Sequence, residues 1–389
     1  MKICATVAEY NPFHNGHQKH LNYVKGNLSH DKTIVVMSGN FTQRGEPAVN
    51  DKFTRARWAI LAGADIVIEL PTVFATANAE IFAKGAVKII NDLDAIDGLC
   101  FGIESGNKSD YIKLASALNN ETKEFKKLLK SYLDDGHSFV KAKFLAMKDL
   151  GESYDENLIS TPNNILGVEY TRALLDFKSQ IEIFPMLRTG NHNDKKLNKK
   201  FTSASSIREI LKVGKSKKIK GVTPPFVYAD LDKINTAFEH MIMSALLTKS
   251  AKDMAKILDC TEGLENRIKA LSKDNKNLND LVDKCTTKRY TSSRIRRILL
   301  SNLLGIEEKF VFDCLSTPLY AKVLAVKKDS MDVISELSKN SKIPLLTRKS
   351  DVLNLSKTAL SCYHKDVLAC DLYSLAIGKK INENNMLII

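Results

Sequence analysis

No run of eighteen apolar residues occurs anywhere in the 389 residues, so no membrane-crossing helix is expected. The chain starts directly on an apolar stretch, Ile3 to Ala8, without the charged and apolar leader of a secretory signal, so a cytoplasmic protein with no membrane partner is expected. There is no Cys-x-x-Cys pair, and the seven cysteines (Cys4, Cys100, Cys260, Cys285, Cys314, Cys362, Cys370) are scattered, several in apolar surroundings. They read as reduced core thiols rather than as a disulfide framework or a zinc site. Acidic residues are in deficit, 45 against 58 Lys and Arg, a net charge of +13. Residues 1–200 carry 26 basic and 24 acidic side chains, a balance of +2, whereas residues 201–389 carry 32 and 21, a balance of +11. A nearly neutral half joined to a basic half suggests a polyanionic partner, nucleic acid first, for the second; a lysine-rich proteome would bias the count the same way.

What is present is an α/β rhythm. Apolar strands are expected at Ile3–Ala8, Thr33–Gly39, Asp65–Leu70, Gly98–Phe101 and Ile181–Met186, with helices between them from Asp51, from about Ala77 to Leu93, and from Thr161. This pattern predicts a Rossmann-like domain with a parallel, doubly wound sheet over residues 1–222. Pro224-Pro225 marks its end. A helical region over 223–312 and a small α/β module over 313–389 should follow.

The first strand leads into Val7-Ala8-Glu9-Tyr10-Asn11-Pro12-Phe13-His14-Asn15-Gly16-His17. Pro12 breaks the strand, Asn15-Gly16 allows a sharp turn, and His17, His20, Leu21 and Val24 recur at helical spacing. Two histidines therefore sit where a strand hands over to a helix. The free N–H groups of a helix start attract anions, and two imidazoles there can donate to phosphate oxygens as charge develops. Zinc is disfavoured because no third clustered ligand follows, and no metal ligands are assigned.

Further candidates lie at the same rim of the sheet. Gln43 and Arg44 fall in a polar loop after the second strand, where substrates bind in such sheets. Gly102 ends the fourth strand and offers bare backbone to an adenine or ribose. Asn163 and Asn164 precede a helix, either as caps or as readers of the nucleotide. Arg188 follows the fifth strand, with Thr189-Gly190-Asn191-His192 beyond it. Thr202-Ser203-Ala204-Ser205-Ser206-Ile207-Arg208 then places a hydroxyl cluster at a helix start and Arg208 on its first turn. Ser205, Ser206 and Arg208 thus stand together as hydroxyl and guanidinium donors at a helix start.

His-x-Gly-His after the first strand, with a Ser-Ser-x-Arg segment after the last, resembles the nucleotidyltransferase superfamily. A narrower resemblance rests on four joined segments: Ala8–His17, Val36–Ala48, Ala64–Pro71 and Pro162–Gly167. Together these are similar to the tRNA(Met) cytidine acetate ligase family, strongly over residues 1–215. The resemblance implies a ligase that condenses acetate with ATP to acetyl-adenylate. It then acetylates the exocyclic amine of the wobble cytidine of elongator tRNA(Met), giving N(4)-acetylcytidine and releasing AMP and pyrophosphate. It implies ATP contacts along Val7–His20 and at Gly102, Asn163 or Asn164, and Arg188. His14, His17 and Arg208 are expected to be catalytic, with Mg2+ on the phosphates, and no obligate protein partner is inferred.

In the basic half, Lys288, Arg289, Arg294, Arg296 and Arg297 surround Tyr290 and are expected to grip tRNA phosphates clear of the adenylation site. If the run is helical, Arg289 and Arg296 share a face. Two other functions compete. A small-molecule adenylyltransferase of the pantetheine-phosphate or nicotinate-mononucleotide kind would leave the basic half unexplained. A non-catalytic RNA-binding protein on the same scaffold would not need His14, His17 and Arg208.

Overall fold

The structure is a computed structural model. It describes the chain except residues 121, 138, 152–154, 189–201, 215–216, 232–235, 276 and 384–385 and the side chains of 139 and 140. Thr189 to His192, expected at the ligand rim, therefore lie outside the described residues.

Eight strands make one sheet among the described residues: β1 (Ile3–Ala8), β2 (Lys32–Ser38), β3 (Ile66–Leu70), β4 (Gly98–Ile103), β5 (Glu182–Leu187), β6 (Ala321–Val326), β7 (Leu345–Leu346) and β8 (Leu387–Ile388). Their order is 5-4-1-2-3-6-7, with β8 also paired to β6. Strands β1 to β5 are parallel, as expected. β2 and β3 are buried on both faces, which is why they read as unbroken apolar runs. Alternate residues feed two cores: Ile34, Val36, Ile66 and Ile68 pack into one, and Val35, Met37 and Val67 into the other with Trp58. Strand order reverses direction at β1, flanked by β4 and β2, so the crevice for ligands opens at the carboxyl ends of these strands.

The helices that frame the crevice have legible ends. α1 (Asn15–Asn27) follows β1. α2 (Lys52–Leu61) starts on Asp51, whose carboxylate accepts from the Phe53 and Thr54 amides. α3 (Ala79–Asp92) is capped by Asn78, α4 (Pro162–Asp176) carries proline in its first turn, and α5 (Ala204–Lys212) is capped by Ser203. Between Ala237 and Leu304 a group of helices ending in α6 (Ser292–Leu304) encloses its own apolar cluster around Leu246, Ile268, Leu281 and Ile295. No helix among the described residues is long and apolar enough to cross a membrane.

The tail is α/β, as expected, but it forms no sheet of its own. β6 pairs antiparallel with β3, and α7 (Lys357–Ile377) packs residues such as Ala369 and Tyr373 into the same core as Ile3 and Val36. The reason lies in β3, whose outer edge would otherwise be exposed; an unpaired buried strand edge is costly. Four buried charges lock this junction: Lys52 meets Glu69 at 2.6 Å and Glu383 at 2.6 Å, while Lys322 meets Glu69 at 3.3 Å and also bonds Glu383.

Candidate functional site

The histidine pair is built by helix capping. His14 is the N-cap of α1, and its Nδ1 accepts from the Gly16 amide at 3.0 Å. The Nδ1 of His17 in turn accepts from the His14 amide at 3.2 Å. With both Nδ1 atoms used as acceptors, each neutral ring carries its proton on Nε2, leaving two donors for the site. The rings stack at 3.8 Å, and Tyr10 and Phe13 flank His17 at 4.9 and 5.4 Å. Burial, reinforced by the cations of Arg188 and Arg208, pushes His14 down to about 3. Burial and the neighbouring His14 hold His17 well below the usual histidine range, and burial with Arg188 brings His20 down to about 4. The rings are therefore neutral donors at ordinary pH.

Gly16 has a different role from the one read in the sequence. It lies inside the first turn of α1, and the chain instead bends at Tyr10, at φ 48°. A Cβ at Gly16 would stand 2.8 Å from Cε1 of His14, so glycine is needed to let that ring fold back over the helix start. The amides expected to bind phosphate here are also taken. Asn15 N–H donates to the Val222 carbonyl, Gly16 N–H to His14, and His17 N–H to the His14 carbonyl. At α1 the donors left facing the cleft are thus the two Nε2–H groups.

The start of α5 is the more open one. Ser203 Oγ accepts from the Ser206 amide at 3.1 Å and lies 2.9 Å from the Ser206 hydroxyl. Ser206 is buried and does not line the cleft, contrary to expectation, whereas Ser203, Ala204 and Ser205 do. Arg208 donates to the Asn11 carbonyl at 2.7 Å and to Ser205 Oγ at 3.2 Å, which ties the Ser/Arg segment to the histidine turn.

These groups surround a cleft of about 210 Å³ lined by Val7, Ala8, Glu9, Tyr10, Asn11, His14, His17 and His20 from the first turn, with Gln43, Arg44, Gly102, Asn163, Arg188 and Arg208 around them. Pro12, Phe13, Asn15 and Gly16 shape the turn without lining it. Of the two asparagines only Asn163 faces the cleft, where its Oδ1 lies 3.5 Å from an Arg188 guanidinium nitrogen. Asn164 is withdrawn: wholly buried, its Oδ1 accepts from the Glu104 amide and the Tyr111 hydroxyl, each at 2.7 Å, and its Nδ2 donates to Ser105 Oγ and to the Asn157 carbonyl. Gly102 matters as the floor for Arg188, whose Cγ would stand 3.1 Å from a Cβ there. Phe82, Phe101, Leu166 and Tyr170 complete the wall. The sequence reading missed them, although 162, 163, 166 and 170 repeat at helical spacing on α4.

Beneath the cleft the buried Arg55 gathers carbonyls from the ends of both central strands. It donates to Glu9 at 2.6 Å, to Ser38 at 3.1 Å and to Asn50 at 2.9 Å, and it also bonds Gly39. The Glu9 carboxylate accepts the Gln43 amide at 2.7 Å; burial raises its affinity for a proton, opposed by that bond and by Arg208 and Arg44.

The basic run is differently arranged from a four-arginine helix face. Thr291 caps α6, so Arg289 precedes the helix and the seven-residue spacing to Arg296 has no helical meaning. Arg294 lies 5.0 Å over the Tyr290 ring and donates to the Asp259 carbonyl, and the Tyr290 hydroxyl bonds Glu262. Arg297 is mostly buried beside Asp259 at 3.7 Å. Arg296 pairs with Glu46 at 3.4 Å, so it does not stand clear of the substrate loop. Only Lys288 and Arg289 are exposed, and Arg289 lies 3.0 Å from Glu262.

A Rossmann-like sheet with a His-x-Gly-His helix start and a facing Ser/Arg helix defines a nucleotidyl transferase. The family model for HIGH nucleotidyl transferases matches residues 1–386. Within that class, the chain belongs to the tRNA(Met) cytidine acetate ligase family. It is 38% identical to the member from Thermoanaerobacter sp. (strain X514), covering 97% of this chain and 96% of the relative, and 37% identical to that of Clostridium novyi (strain NT), covering 99% and 96%. Crystal structures of Thermotoga maritima TmcAL superpose over the full length of both chains, the apo form with a TM-score of 0.92 at 30% identity and the form bound with alpha-thio ATP with a TM-score of 0.90 at 29% identity.

Proposed function

We propose that this chain is an ATP-dependent ligase that acetylates a cytidine of tRNA(Met). The neutral histidine pair carries the reading, since its two Nε2–H donors face a cleft whose other side is Ser205 and Arg208. A carboxylate oxygen of acetate attacks the α-phosphorus, and pyrophosphate leaves. Acetate is a poor nucleophile, so the rate comes from alignment and from donors placed where charge develops. His14 and His17 donate to the α-phosphate oxygens, Ser205 and Arg208 hold the departing pyrophosphate, Asn163 and Arg188 hold the nucleoside end, and Arg44 meets the acetate. The exocyclic amine of the wobble cytidine of elongator tRNA(Met) then attacks the acetyl carbonyl. AMP leaves, one proton is lost, and N(4)-acetylcytidine remains.

Among the described residues no three His, Cys, Asp or Glu side chains gather as a metal cage. The residues present fit Mg2+ carried on the triphosphate with water, a mode needing at most one or two carboxylates, of which Glu9 borders the cleft. The buried, free cysteines suit the cytoplasm, where the tRNA substrate resides. The test is acetate-dependent exchange of pyrophosphate into ATP, followed by mass spectrometry of tRNA nucleosides after incubation with acetate. Exchange together with N(4)-acetylcytidine is the expected result. Exchange driven by a phosphorylated small molecule and not by acetate would assign the cleft to another substrate.

A further inference from the structure

The loop that carries Gln43 and Arg44 is held on two sides. Inside, the Gln43 amide is fixed by Glu9 at 2.7 Å. Within the loop, the Thr42 amide donates to the Glu46 carbonyl at 3.0 Å, and the Gly45 amide to the Thr42 carbonyl at 2.9 Å. Outside, the loop rests directly on the backbone of α6. Gly45 has φ +73°, and a Cβ there would lie 2.5 Å from the carbonyl carbon of Arg296 and 2.5 Å from the amide nitrogen of Arg297. Two features thus demand glycine at position 45, its backbone angle and the absence of space. One residue on, Glu46 meets Arg296 Nε at 3.4 Å, and Arg296 is steadied from its far side by Asn279 at 2.7 Å. Arg44 lies between these anchors and lines the cleft, and among the described residues no ion pair of its own fixes it.

We infer that Gly45, Glu46 and Arg296 are positioning residues for Arg44 in the adenylation step, so that a helix of the basic half sets the geometry of the ATP site. The inference rests on reading the cleft as that site. A displacement of about 1 Å in a group that aligns reactants can cost on the order of a hundredfold in rate. The groups that take ATP in this reading, the histidines, Asn163, Arg188 and Ser205, all lie outside this loop. Loosening the loop should therefore lower the turnover of acetate activation while leaving the KM for ATP within about twofold.

The experiment uses the full chain and measures acetate-dependent pyrophosphate exchange, the KM for ATP and the thermal midpoint for Gly45→Ala, Glu46→Gln, Arg296→Ala and Arg296→Lys, and for the charge swap Glu46→Arg with Arg296→Glu. Expected are falls in kcat of about tenfold or more for the first three with the KM for ATP kept, a midpoint retained in Glu46→Gln and Arg296→Ala and lowered in Gly45→Ala, and partial recovery in Arg296→Lys and in the swap. Should Gly45→Ala fail to fold, Glu46→Gln and Arg296→Ala carry the test alone. Wild-type turnover in those two, or a lowered midpoint with unchanged kcat, would refute the positioning role. Wild-type protein that shows no acetate-dependent exchange would instead refute the functional reading, so the two failures are distinct.

Discussion

His14 and His17 cap a helix through Nδ1 and leave Nε2–H to the cleft, so capping and the proposed donor role use different ring nitrogens. Asparagine offers an acceptor for the cap but cannot reproduce the Nε2–H geometry. His14→Asn and His17→Asn should therefore keep the fold and lose about a hundredfold or more in acetyl-adenylate formation, read by pyrophosphate exchange beside circular dichroism. The same burial makes the pair acid-sensitive. In the unfolded chain these rings take up protons near 6.5, whereas folded His14 refuses one until about 3. The unfolded state thus binds more protons below 6.5, and stability falls as pH drops through that window. Urea midpoints at about pH 7 and about pH 5 should differ more for the wild type than for the double Asn variant. An equal difference would mean that the rings titrate normally.

At the scale of elements, much of the site was legible because parallel strands announce themselves as apolar runs and helix starts as caps: β1 to β5, the Asp51 cap and the Ser203 segment all follow from such patterns. Other parts were not legible. Asn163 and Asn164 are chemically identical, and only the turn of α4 decides that one faces the cleft while the other is consumed beneath it. The basic run misled for a related reason. Thr291 starts a helix in the middle of it, and the charges that pair with its arginines, Glu46, Asp259 and Glu262, are remote in sequence. Because Arg294 and Arg297 are held against Asp259, the better candidates for tRNA phosphates are the exposed Lys217, Lys220 and Lys288, with Lys212 at the end of α5 and Arg289, whose partners Glu209 and Glu262 are themselves exposed. Changing Lys212, Lys217 and Lys220 together to Glu should weaken tRNA binding and lower the slope of log affinity against log salt by about one per lost contact. Arg294→Glu and Arg297→Glu should act on stability first. Binding curves across a salt series, beside thermal melts, separate these outcomes.

At the scale of the whole molecule, the sequence suggests an adenylating half that could stand alone, and the sheet argues otherwise. Removing residues 223–389 strips β6 from β3 and leaves Lys52 and Glu69 without Lys322 and Glu383. Lys52 and Glu69 then keep only each other, and the β3 edge and the core shared with α7 open to water, which removes a large share of what stabilises an ordinary domain. A fragment of residues 1–222 should therefore be unfolded or aggregated and inactive in pyrophosphate exchange, as judged by circular dichroism and light scattering; a soluble, active fragment would show the tail to be dispensable. The β3–β6 pairing also bears on how the protein is made. Ile66 and Val326 become neighbours although some 260 residues lie between them. On a ribosome adding about 5–20 residues per second, the edge of β3 waits on the order of ten seconds or more for its partner. Through that interval the nascent sheet has an open hydrophobic border, so synthesis of this enzyme should depend on chaperone cover, and truncated translation products should be cleared rather than contribute partial activity.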